Sequence, residues 1–108
     1  MLTEKKKAAI CIAISKRAKQ ALKASKVKAM TFETTEAMYE YLKTCKLQNK
    51  VMDIMCMNAC GFDDLVDTLV DLHLCKDKDK AKLRILRHVA KDSEAVTIAR
   101  RNMIELSA

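Results

Sequence analysis

The chain has 108 residues, half of them apolar, with 21 Lys and Arg against 14 Asp and Glu for a net charge of +7. That length makes one domain, and the apolar half builds a modest core and excludes a disordered tail. No proline, a single glycine (Gly61) and seven methionines among abundant Ala, Leu and Lys argue against a β-rich fold, which needs glycine at its turns, and predict an all-α single domain over residues 1–108, a compact bundle of five or six short helices.

Thr3 as N-cap opens a first helix reaching about Ser25, with Ile10, Cys11, Ile14, Ala18, Ala21 and Leu22 on one face. Lys5, Lys16, Lys19, Lys23 and Lys26 share the opposite face at 100° per residue. Residues 8–14 (AAICIAI) also read as a buried strand, but the apolar stripe continues to Leu22, which favours helix. Residues 26–32 (KVKAMTF) are a connector or a short extended piece. Thr34 or Thr35 caps a second helix to about Lys46, burying Met38, Leu42 and Cys45. Asn49 caps a third, Lys50 to Cys60, which Gly61 stops at the position after the C-cap. Asp63 caps a fourth through Leu74, with Leu65, Val66, Leu69 and Leu72 inward and Asp63, Asp67 and Asp71 along an acidic edge. Asp77 or Asp79 opens a fifth to about Lys91, placing Leu83, Leu86 and Ala90 inward and Lys80, Arg84, Arg87 and Lys91 outward. Asp92 or Ser93 caps a sixth through Leu106, with Val96, Ala99, Met103 and Leu106 on one side.

Charge is laid out in blocks. Residues 51–75 hold five aspartates and no Lys or Arg, between a strongly basic first half and a basic C-terminal third. Such a layout attracts a polyanion, an acidic protein or a second copy of the chain.

The residue types for zinc occur as Cys56-x3-Cys60 and His73-x-Cys75. Cys56 and Cys60 share a helix face, but His73 and Cys75 point to nearly opposite sides of a helix, so buried structural thiols are the better reading and no metal or cofactor is expected. The same directions disfavour a Cys75–His73 nucleophile pair. His88, beside the basic stripe, and His73, beside an apolar face, read as structural or solvated. Asp63, Asp67 and Asp71 lack the loop carbonyls and tight glycine turn of a calcium site and read as a solvated face. No phosphate-binding glycine loop or nucleophile elbow is present, so no catalytic residue is expected. A helix-turn-helix on Gly61 would make the aspartate-rich fourth helix the recognition helix, where it would repel phosphates. The pair of helices after Leu83 has a better sign, with Arg100 and Arg101, but lacks a third helix to follow.

Five cysteines, an odd number, with no cleavable leader after Lys5–Lys7 and no span of about 20 apolar residues, point to a reducing cytoplasm and away from a membrane. Two functions remain. One is a non-enzymatic protein-interaction module, a regulator or inhibitor docking on a larger protein machine through Asp63, Asp67 and Asp71 and the two basic stripes; phage-encoded proteins of this kind are often this small. The alternative is a nucleic-acid-associated protein gripping DNA or RNA backbone non-specifically through those stripes. Only four aromatics, Phe32, Tyr39, Tyr41 and Phe62, are available for stacking. The acidic segment tips the reading toward a protein partner, and acid facing base also permits a homodimer.

Overall fold

The computed structural model describes residues 2–25 and 31–90, together with Thr97 and Arg100, which are helical and exposed. Five helices follow one another: α1 (Glu4–Ser25), α2 (Thr35–Leu42), α3 (Gln48–Met57), α4 (Phe62–Asp71) and α5 (Lys78–Val89). No strand occurs among the described residues. The remainder of the predicted sixth helix lies outside them, as do Lys26 and Lys91 of the basic stripes.

The core explains the arrangement. Five of the ten residues of α3 (Val51, Met52, Ile54, Met55 and Cys56) are buried, so this helix is apolar most of the way round and lies inside. Helix α1 lies against it with Ile10, Ile14 and Ala18 buried, and also touches α4 and α5. Helices α4 and α5 pack on each other, and Leu65, Val66, Leu69, Ala81, Ile85 and Leu86 of the two lie in the core. The radius of gyration, 13.3 Å, is that of a compact domain, about 13 Å for about 100 residues.

Caps set the helix ends. The Thr3 hydroxyl accepts from the Lys6 N–H at 3.2 Å, Thr34 from Ala37 at 3.1 Å and Asp77 from Lys80 at 2.9 Å. Helix α2 ends at Leu42, short of Lys46, because the Thr44 N–H (3.0 Å) and hydroxyl (2.7 Å) both turn back onto the Tyr41 carbonyl.

The largest departure from the sequence reading is at Gly61. Helix α3 begins at Gln48 behind Leu47, so Asn49 lies inside it, and its left-handed terminating residue is Ala59 at φ 62°. The Ala59 N–H meets the Cys56 carbonyl at 3.1 Å and the Cys60 N–H meets Met55 at 2.9 Å, the double bond of a Schellman end. Gly61 instead sits at φ −85° as the N-cap of α4, and Asp63 lies in the first turn. Helix α4 ends the same way on His73 (φ 58°), with His73 N–H to Val70 at 3.0 Å and Leu74 N–H to Leu69 at 2.9 Å.

Helix α5 is rotated from its predicted setting. Ala81, Ile85, Leu86, His88 and Val89 are buried, whereas Leu83 and Ala90 are half-buried. The rotation takes His88 into the core, where α1 and α3 supply polar partners for it.

Candidate functional site

His88 is 1 % exposed. Its Nε2 lies 2.7 Å from Asp53 Oδ1 on α3, and its Nδ1 lies 3.0 Å from Arg17 Nη1 on α1. A guanidinium can only donate, so Nδ1 accepts and the ring hydrogen sits on Nε2, donating to the carboxylate. Arg17 Nη1 also donates to the His88 carbonyl at 2.5 Å. The neutral imidazole therefore bridges a cation and an anion, and three helices are tied at one buried point. Both ring nitrogens are taken up within the core, which leaves neither facing a substrate. In the sequence, Arg17 stands on the inward side of α1 near Ile10, and that was the available signal for a half-buried cation.

On the other flank of α1 a groove of about 620 Å³ runs between that helix and the α3–α4 turn. Ala8, Cys11 and Ile12 line it from α1, and Cys56, Cys60 and Phe62 from the opposite wall. Glu4 stands at one end and Lys16 and Lys19 toward the other. Ile12 is 67 % exposed, sharing with Leu47 the place of most exposed large apolar residue described. The run of residues 8–14 is thus apolar without being wholly buried. At 100° per residue Ile12 falls among Lys5, Lys16, Lys19 and Lys23, so the periodicity already marked it as an apolar residue on a charged face.

Thiols make part of the groove's floor. Cys56 donates to the Cys11 sulfur, which holds the Cys11 thiol below its ordinary pKa, while that bond and burial push Cys56 far up. Burial also pushes up Cys60, whose sulfur lies 3.9 Å from the Met38 thioether. Cys56 and Cys60 line this groove, whereas His73 and Cys75 line a separate surface pocket. Among the described residues no group of three or more His, Cys, Asp or Glu side chains is placed to hold a metal ion.

The charged residues separate into distinct settings. Asp63, Asp67 and Asp71 are exposed along one edge of α4, as their spacing predicts. Two of them meet lysines of the same chain: Asp63 meets Lys7 of α1 at 3.1 Å and Asp67 meets Lys78 of α5 at 3.7 Å. Lys16, Lys19, Lys23, Lys80 and Arg87 are exposed. Arg84 is half-buried rather than outward; its Nε donates to Gln48 Oε1 and its Nη2 to Asn49 Oδ1 at 2.5 Å. None of the four aromatics is exposed: Phe62 is buried, Tyr39 is half-buried, and the half-buried Phe32 and Tyr41 rings pack at 5.7 Å. No helix among the described residues is long and apolar enough to cross a membrane.

Comparison with known proteins returns no match among family models, curated proteins or solved structures.

Proposed function

We propose that the protein is a small non-enzymatic interaction module of the cytoplasm, a regulator or inhibitor that docks on a larger protein. The groove beside α1 receives an amphipathic helix of that partner, with acidic residues beside its apolar face. Ile12 carries the reading: an isoleucine 67 % exposed at the lip of an apolar groove exposes surface that a docked apolar side chain would cover. Charge sets the orientation. Lys16 and Lys19 favour acids at one end of the docked helix, and Glu4, about 18 to 22 Å away along α1 at about 1.5 Å per residue, favours a base at the other.

The reading shifts the contact from the acidic edge of α4 to this groove, because Asp63 and Asp67 already face lysines of their own chain. It is favoured over phosphate-backbone binding because an acid lines the groove and no aromatic is exposed for a base to stack on. Free thiols at five positions suit a reducing compartment.

Retention of proteins from source cells by wild type and variants tests it. Ile12→Asp and the Lys16→Glu/Lys19→Glu pair are expected to lose the partner that wild type retains, in the presence of nuclease. Asp63→Asn/Asp67→Asn/Asp71→Asn is expected to keep it. Retention untouched by the groove variants, or retention that disappears with nuclease, would contradict the proposal.

A further inference from the structure

At the other end of α3, two adjoining surface pockets of about 360 and 460 Å³ share Gln48, Leu74 and Arg84. Lys46 lines the first; Lys76, Lys80 and Arg87 line the second; no Asp or Glu lines either. Five cations thus surround two concave spaces, and a low-dielectric cleft lined by one sign of charge focuses its field on whatever enters. The nearest carboxylate in sequence, Asp77, accepts the Lys80 N–H as the cap of α5.

Two further observations separate this from an ordinary solvated basic face. Arg84 is held in place by Gln48 and Asn49, so its guanidinium is already oriented and loses little side-chain freedom on binding. The first turn of α3 opens at the same place: Gln48 is its first residue, and Leu47 at the N-cap supplies no side-chain hydrogen bond. The N–H groups of its first turn have no partner within the helix, and they add the positive end of a ten-residue helix to the five side chains. Leu47 itself is exposed there.

We propose that the paired pockets form a binding site for the phosphate chain of a small polyphosphate. Cations on both sides of Arg84 suit a chain of two or three phosphates better than a single one. Since no aromatic lines either pocket, recognition rests on the phosphates themselves. Inorganic triphosphate and a nucleoside triphosphate then present the same chemistry.

The test measures binding of sodium tripolyphosphate and of ATP to the full chain by calorimetry in low-salt buffer, with a single-stranded oligonucleotide in parallel. Both small anions are expected to bind, less tightly as salt rises. Equal affinity assigns the site to inorganic polyphosphate and nucleotides alike, and tighter ATP assigns it to nucleotides. Leu47→Asp puts a carboxylate at the α3 N-cap and should weaken both about tenfold, as should Lys80→Glu/Arg87→Glu. Leu47→Asp also supplies the missing cap, so its thermal midpoint should not fall, which separates lost binding from lost folding. No binding by either anion, binding undiminished in both variants, or binding of the oligonucleotide alone would overturn the proposal.

Discussion

Ala59 and His73 each end a helix in the left-handed region that a Cβ disfavours by about 1–2 kcal/mol. Gly lacks that penalty but has more freedom to lose from the unfolded chain, by about 0.4–1 kcal/mol. Ala59→Gly and His73→Gly are each expected to stabilise by about 0.5–1 kcal/mol, read as a rise of a few degrees in the thermal midpoint. A fall would mean that the Schellman ends are not formed as described. His88 is the opposite case. Removing it leaves Arg17 and Asp53 without their shared partner, so His88→Ala should cost about 3 kcal/mol in chemical denaturation. Asp53→Asn keeps an oxygen to accept from Nε2 and should cost only about 1 kcal/mol. Equal losses would show that the neutral-tautomer bridge is wrong. The Cys11 thiol is held below its ordinary pKa. Iodoacetamide near neutral pH should therefore modify Cys11 before Cys56, Cys60 and Cys75, each of which is pushed up. Mass mapping of a partial reaction reads the order, and Cys56 reacting first would contradict it.

At the scale of the helices, Asp77→Ala should destabilise by about 1 kcal/mol, because the carboxylate satisfies the Lys80 N–H at the start of α5. Thr34→Ala should cost a similar amount at α2. These caps, with most of the apolar face of α1 and α4, were legible in the sequence because they depend on neighbours three and four residues away; Ala21, predicted inward, is exposed, and Leu72 is half-buried. Gly61 misled for a physical reason. A glycine after an apolar run normally takes the left-handed position, but here Ala59 takes it two residues earlier and the glycine starts the next helix. The setting of α5 was illegible for a different reason. A histidine between two apolar positions counts as core only once Arg17 and Asp53, distant in sequence, are seen to satisfy it. The groove was half legible: the lysine face of α1 was predicted, but Cys56, Cys60 and Phe62 reach its far wall only through the tertiary fold.

In the whole molecule, the basic–acidic–basic layout of the sequence becomes charge held partly within one globule, with α4 joined to α1 through Lys7–Asp63 and to α5 through Lys78–Asp67. Lys7 is half-buried and the other three groups are exposed, so water screens these pairs and they orient charge more than they stabilise the fold. Two groups of cations remain beside concave surfaces, Lys16 and Lys19 at the groove of α1 with its exposed isoleucine, and those of the pockets around Arg84. The most direct measurement of the central claim places a photo-crosslinking residue at Ile12 and, separately, at Asp67, in protein expressed in its source cells. A covalent adduct with one protein partner is expected from position 12 and not from position 67, and Lys16→Glu/Lys19→Glu should remove it. Adducts from position 67 alone, or nucleic acid crosslinked at position 12, would contradict a protein-docking groove.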